Sequence, residues 1–336
     1  MTEPKHPRRR HAGVTATGIV TALIGLAFLA WQVAHVGSRD VLDGLRQVGA
    51  GFLLVLAIAF ARLVIRAYAW SLFFDRRAPL SHVIAATLVG DAAGGVTPLS
   101  LLVSEPAKAL YLRDDIPPSR GLAAAAAENF FYSLSVALVI IAGMTALLLA
   151  FPLPQPVRLA SWIALVAMLA VVAAGLWLIW RRPSLVSSAL AALPFAAARR
   201  AVERVRTLEE TAYAFVRQTG HRLAAVIACE IAFHLLSLAE TYVTLWLVAG
   251  RATVTAAFIL DSVSRVINVV FRVVPLRIGV DEEGARLVAD VLGYTQANGL
   301  AMALVRRGRL IVWTLPGLVL LVRRGLSMKK LIRDAK

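Results

Sequence analysis

Apolar runs of about 20 or more residues, the length a helix needs to cross hydrocarbon, recur along this chain. They predict full spans at about Gly13–Val36, Ala50–Phe74, Arg120–Phe151, Val157–Trp180, Leu223–Ala249 and Thr295–Val322. Pro152, Pro154 and Pro156 predict a tight turn between the third and fourth of these, because proline cannot continue a helix and biases its predecessor away from one. The segment SRDVLDGLRQVG puts Val41, Leu42 and Leu45 on one helical face, which predicts an interfacial helix. Two apolar stretches do not read as plain spans. The first, Asp91 to Arg113, is DAAGGVTPLSLLVSEPAKALYLR. Gly94, Gly95 and Pro98 break a helix there. Asp91, Glu105 and Lys108 are costly in hydrocarbon unless they face a partner or a wet cavity. Broken backbone at membrane depth is tolerated only under cover of protein or beside a cavity, so a re-entrant helical hairpin is predicted.

The second broken stretch resembles the first. VTPLSLLVSEPAKALYLRDD pairs with VVPLRIGVDEEGARLVADVL, and seven residues separate Pro98 from Glu105 as they do Pro275 from Glu282. With a slip of one residue, Glu105 aligns with Glu283 and Lys108 with Arg286. The same offset sets Gly121-Leu122-Ala123 on Gly299-Leu300-Ala301 and Glu128 on Arg306, while Tyr68 and Tyr242 precede the two prolines at similar distances. An internal repeat follows.

Composition changes the picture little, since 59% hydrophobic residues, 17% charged residues and a mean hydropathy of +0.73 fit only a polytopic membrane protein. Charge adds orientation. The net +16 is not arranged as a groove with interleaved aromatics, which excludes a nucleic-acid partner. Instead it collects at Lys5–Arg10, Arg76-Arg77, Arg181-Arg182, Arg199–Arg206, Arg323-Arg324 and Lys329–Arg333. With both termini cytoplasmic and the two hairpins entering from opposite faces, every cluster falls inside. The repeat is then inverted, a plan in which broken helices meet near the midplane. The expected fold is an all-α membrane protein of about six full transmembrane helices plus two re-entrant hairpins arranged as an inverted repeat, in the inner (plasma) membrane. Its parts are a basic tail 1–12, a first membrane repeat 13–156 with a hairpin at about 80–113, a second repeat 157–322 and a basic tail 323–336. The second repeat includes a cytoplasmic amphipathic segment 181–220 and a hairpin at about 253–293. The basic start leads into a retained first span rather than a signal peptide. The single cysteine, Cys229, excludes an internal disulfide and reads as packing.

Two hairpins from opposite faces are expected to bring Glu105, Lys108, Glu282, Glu283 and Arg286 towards one another, with Asp91, Pro98, Glu128, Pro275 and Arg306 completing a substrate cavity. Each has a plainer reading. Glu105 with Lys108 fits a headgroup-binding pair or an i,i+3 pair at the interface. Asp91 fits a cavity residue or a cap for the glycine turn. Glu282 and Glu283 suit the start of a half-helix, where carboxylates complement the dipole. Arg306, Arg307 and Arg309 crowd one region; one fits a snorkelling anchor, and Arg306, matched to Glu128, is expected inside. Glu230, His234 and Glu240 share a helix and are candidates for ion or proton coupling. They also resemble half a metal site, but without HExxH or a second ligand cluster no metal is expected. Arg62 and Arg66, at i,i+4 on one face, have these acids or a lipid phosphate as partners.

At Pro98, Ser104-Glu105 and Lys108 the chain resembles the lysylphosphatidylglycerol synthase transmembrane-domain family, also called flippase-like integral membrane proteins. Serine stands for the usual glycine and lysine for the usual arginine, and Glu128-Asn129 stands where the family tends to have Glu-Arg. The segments HLLSLAETYVTLWLVAG, LDSVSRVINVVFRVVPLRIGVDEEGARLVADVLG and LAMALVRRGRLIVW resemble the branch associated with hopanoid synthesis. The resemblance covers about residues 15–325. It implies lipid or lipid-linked cargo (phospholipid, hopanoid or another amphiphile) moved between leaflets. Lipid-biosynthesis enzymes are the expected protein partners.

No GxxxxGKS or GxxxxGKT motif occurs, so transport would be downhill or ion-coupled, with Glu105, Glu128, Glu282 and Glu283 as candidate proton carriers. No cofactor is expected. An intramembrane enzyme acting on a headgroup would use paired carboxylates as acid and base, but no nucleophile–base pair or diphosphate-binding acid cluster is visible. The aminoacyl transfer in the family's name belongs to a separate soluble domain, for which no room is expected. The chain is therefore read as a transporter and not an enzyme. A secondary transporter of a small polar solute, or a scaffold for lipid-synthesis enzymes, are the remaining alternatives.

Overall fold

The computed structural model describes residues 46–74, 78–95, 100–181, 220–271 and 279–324, together with Asp43 and isolated positions between 188 and 214. The predicted first span, most of the amphipathic segment and both hairpin breaks, with Pro98 and Pro275, lie outside the described residues. Among the described residues the elements are all helical: α1 Gly51–Ser71, α2 Leu80–Gly95, α3 Ser100–Tyr111, α4 Pro118–Ala150, α5 Gln155–Arg181, α6 Gly220–Ala249, α7 Val254–Val270, α8 Val280–Val291 and α9 Gln296–Arg323. Four are long and apolar enough to cross a membrane: Gly51–Ser71, Pro118–Ala150, Gln155–Leu178 and Arg222–Ala249. The predicted last span, α9, is as long but is interrupted by Arg306, Arg307 and Arg309.

The boundaries follow local chemistry. Pro118 opens α4 at a position where its missing N–H costs nothing. Pro152 and Pro154 separate α4 from α5, and Pro156 stands in the first turn of α5. Thr253 caps α7 by accepting from the Ala256 amide at 3.1 Å, and Thr295 caps α9 by accepting from Asn298 at 3.1 Å.

Packing centres on α1 against α6. Gly51, at the start of α1, lies beside Leu247 near the end of α6. At the other end of α1, Ala67 and Trp70 share a buried cluster with Val226 near the start of α6. The two helices are therefore antiparallel. That second cluster also holds Val83 from the start of α2 and Leu112 just beyond α3. The opposite cluster holds Val55 and Leu245 with Ala256 and Ile259 from the start of α7 and Val288 from the end of α8. The α2–α3 and α7–α8 pairs thus open at opposite ends of the bundle.

The two halves exchange their last long helices. Helix α4 packs on α7 and α9 packs on α2. The contact is close in both cases, with Gly143 of α4 against Ser262 and Gly317 of α9 against the Leu88 carbonyl and the Ala92 methyl. Helix α5 lies along α4 on the outside and leaves Trp162, Ile163 and Trp177 exposed. An apolar exposed face of this kind suits lipid, which removes any penalty for leaving it uncovered.

Gly317 marks where side-chain volume is excluded. Its Cβ would overlap backbone on α2, so Gly317→Ala is expected to cost about 1–3 kcal/mol through overpacking. Gly95 faces open space, and Gly95→Ala is expected to leave stability unchanged or raised. Thermal unfolding of the two variants in detergent checks the contrast; equal melting temperatures would refute the close contact.

Candidate functional site

Charged side chains line the interior of this apolar bundle, and each is held by a partner on the same or a neighbouring helix. In the first half, Lys108 of α3 is buried and sets its Nζ 3.1 Å from Glu105 and 3.9 Å from Asp91 of α2. Its aliphatic stem lies over Gly90, where any Cβ would collide with it. Arg66 of α1 reaches Glu128 of α4 at 3.3 Å and Asn129 at 3.0 Å, with its guanidinium 3.7 Å from the Tyr132 ring centre. Asn129 thus takes part in holding Arg66. Asp91 remains half exposed, while Glu128 is buried.

The halves meet at Glu240 of α6. One oxygen lies 2.6 Å from Arg62 of α1 and the other 3.1 Å from Arg309 of α9. Arg62 and Glu240 are 178 positions apart, the offset that aligns Glu105 with Glu283 and Glu128 with Arg306. That coincidence was readable from the sequence, but nothing there said that equivalent positions touch.

In the second half, Asp261 of α7 accepts from Ser237 at 2.8 Å and pairs with Arg265 at 2.9 Å. Arg306 of α9 donates to the Ser264 hydroxyl. Glu282 of α8 is fully buried, lies 2.5 Å from Arg307, and accepts from the Gly279 amide at 2.7 Å. Gly279 has φ 89°, a left-handed conformation that favours glycine. Glu282 therefore combines the predicted capping role with an ion pair to α9. Glu283 pairs with Arg286 at 2.6 Å, and Arg286 also donates to Gln296 at 2.6 Å.

Two expectations need correction. The hairpin charges do not form a single group: Glu105 pairs with Lys108, Glu282 with Arg307 and Glu283 with Arg286. Two of these pairs close within one helix at i,i+3 spacing, and the third joins α8 to the helix that follows it. Nor is Arg306 the one interior cation of its group, because Arg307 and Arg309 are both paired to buried carboxylates. Of the partners expected for α1, Arg62 takes Glu240, whereas Arg66 takes Glu128, an acid not expected for it.

The predicted acid–histidine face gains a serine. Ser135 of α4 lies 2.7 Å from Glu230 and 2.9 Å from His234, and 2.9 Å from its own helix's Tyr132 carbonyl. A serine beside a histidine invites comparison with a hydrolytic pair, but the carboxylate and the carbonyl both compete for the one hydroxyl proton. His234 is then the donor to Ser135 and cannot act as its base, and its other ring nitrogen has no hydrogen-bond partner. The group reads as a polar link between α4 and α6. Among the described residues no cluster of three or more His, Cys, Asp or Glu could hold a metal, and Cys229 is buried without a disulfide partner.

An all-helical architecture with four bilayer-length apolar helices and exposed apolar faces defines an integral membrane protein. Residues 18–317 match the family model of the lysylphosphatidylglycerol synthase TM region, and the chain belongs to that family. No curated protein and no solved structure matches it.

Glu240 serves two arginines, whereas Arg62 leaves Glu240 a second partner when removed. Glu240→Gln is expected to cost about 3–5 kcal/mol, as stranding buried charge does, and Arg62→Gln clearly less. Unfolding of both variants in detergent tests the order, and the reverse order would contradict the shared-carboxylate geometry.

Proposed function

We propose that this protein moves a lipid or lipid-linked amphiphile between the leaflets of the plasma (inner) membrane, its headgroup travelling along the charged interior while its tails stay in hydrocarbon. The observation that carries this reading is the run of partnered charges through an apolar bundle, from Asp91 and Glu105 through Arg66, Arg62 and Glu240 to Arg306, which is held by the Ser264 hydroxyl. Intramembrane charge on this scale is expensive and is kept where a polar cargo or ion has to pass. Membership of the family favours lipid over a small soluble solute.

The architecture proposed for this activity is six full spans with two re-entrant hairpins in an inverted repeat, both termini cytoplasmic. Three features support it. Helices α1 and α6 are antiparallel, the helix pairs α2–α3 and α7–α8 open at opposite ends, and the exchange of α4 and α9 is reciprocal. Each is what a two-fold axis in the membrane plane produces. The protein is proposed to act as a transporter rather than an enzyme, with phospholipid, hopanoid or another lipid-linked molecule as cargo and lipid-biosynthesis enzymes as suppliers. Glu230 and His234 remain candidates for ion or proton coupling. Glu240, committed to two guanidiniums, is a structural counter-ion instead.

The test is leaflet-resolved movement of labelled phospholipid and hopanoid in proteoliposomes. Wild-type protein is expected to accelerate exchange over protein-free liposomes, and Glu105→Gln with Glu283→Gln to slow it by about tenfold, equivalent to a barrier rise of about 1.4 kcal/mol. No acceleration by the wild type would sink the transporter reading. An unchanged rate in the double variant would sink the assigned pathway.

A further inference from the structure

Between Asn129 and Trp180 the chain carries a single charged residue, Arg158. It stands in the first turn of α5, where a cation opposes the helix dipole. Its side chain enters no ion pair or hydrogen bond among the described residues. Glu128, the one acid of α4 and α5, is held by Arg66. Neither helix stability nor charge pairing therefore accounts for Arg158.

A cavity of about 420 Å³ lies where α4 and α5 meet at their turn, and Arg158 is the one charged residue of its lining. Leu148 and Leu149 of α4, Leu153 of the turn, and Trp162 and Leu165 of α5 supply apolar walls. Arg158, Trp162 and Leu165 follow one face of α5 at i, i+4 and i+7, over about 10 Å of helix axis. A charge, an amphipathic ring and an aliphatic side chain thus succeed one another from the turn into the apolar helix. Phosphate, glycerol ester and acyl chain succeed one another in that order in a phospholipid, and tryptophan is favoured at the interfacial level. The mouth faces outward, with Leu149 83% and Trp162 49% exposed. An arginine that merely snorkels needs no cavity beside it. The volume is at the low end for small-ligand sites, about 300–1,000 Å³, which suits one hydrocarbon chain and not a whole diacyl lipid.

We propose that the α4–α5 turn holds a phospholipid, with its phosphate on the Arg158 guanidinium and one acyl chain in the cavity. A guanidinium fork matches phosphate oxygens in geometry as well as charge, and the leucine walls take the hydrocarbon. The second chain stays in the bilayer. No lining residue takes part in the charged interior, so the site stands or falls apart from the transport reading.

The experiment uses the full-length protein in a neutral detergent with phosphatidylglycerol carrying a diazirine on one acyl chain. After illumination, labelled residues are located by mass spectrometry of peptides. Label is expected to concentrate in residues 145–165. Dioleoyl phosphatidylglycerol is expected to displace it at about tenfold lower concentration than dioleoylglycerol, the effect of one charge-assisted hydrogen bond. Arg158→Gln, at an exposed position, is expected to remove that tenfold advantage. Leu148→Trp, which fills the cavity and keeps the cation, is expected to abolish the concentration of label. Leu149→Trp, on the exposed rim, serves if that variant does not fold. Label spread evenly over the lipid-facing helices would mean bulk lipid only and overturn the proposal. Equal competition by the two lipids, or an advantage unchanged in Arg158→Gln, would also overturn it. Undiminished label in both tryptophan variants would overturn the chain's place in the cavity. Inorganic phosphate competing as well as phosphatidylglycerol would overturn the assignment to a lipid. Labelling is read without transport, so site-specific label in a protein that moves no lipid would refute the transporter reading and leave this site standing.

Discussion

A carboxylate in the middle of an apolar helix has to find a cation, and Glu240 finds two, Arg62 on α1 and Arg309 on α9. This contact ties together the three long helices that define the bundle's centre. It also fixes their register, because a shift of one residue along either α1 or α6 would turn a charge towards hydrocarbon, at a cost of several kcal/mol. In the inverted-repeat reading Arg62 and Glu240 are the same position of the two halves. A two-fold axis brings a position against its own equivalent. Identical residues there would set like charges face to face, so the halves have to differ at the axis. An arginine opposite a glutamate is the difference that converts repulsion into an ion pair.

Divergence between the halves has a second consequence. Glu128 and Arg306 occupy corresponding places by the same offset, yet one is a carboxylate held by Arg66 and the other a guanidinium held by a serine hydroxyl. In the inverted-repeat reading, that exchange of sign gives the two positions different partners on different helices. In the same reading the frame is kept by helix exchange, α4 on α7 and α9 on α2, through close glycine contacts. Shape and charge are thus set by different residues, and charge is free to vary while the packing is kept.

The sequence revealed the parts of this structure that depend on period and punctuation. Apolar runs located α1, α4, α5 and α6, prolines located the α4–α5 turn, and the family resemblance was carried by Glu105, Lys108 and the second-half motifs. It also identified most of the charged residues that the interior uses. It did not reveal their pairing. Spacing along one chain says which residues share a face, as for Arg62 and Arg66, but two side chains four residues apart on α1 go to different helices, α6 and α4. Spacing marks Arg306 alone as interior and leaves Arg307 and Arg309 without partners, which the positions of Glu282 and Glu240 supply. Ser135 carries no signal in an apolar run until the packing of α4 against α6 puts it beside Glu230 and His234.

Which of these contacts can change during the proposed transport follows from where they sit. Glu105 and Lys108 belong to one helix, as do Glu283 and Arg286, so each pair can move with its own helix at no electrostatic cost. The Glu282–Arg307 pair bridges α8 to α9, and Lys108–Asp91 bridges α3 to α2, so both stay intact if a hairpin and its following helix move together. The Arg62–Glu240–Arg309 contact spans both halves and would be the costliest to break. In the proposed inverted repeat it lies at the two-fold axis, where a rocking motion produces the least displacement. A rotation of one half against the other about that point opens one hairpin as it closes its counterpart, and keeps the central ion pair formed throughout. The same contact that fixes the register can therefore serve as the fulcrum, and charge near the axis limits the movement to rocking rather than sliding.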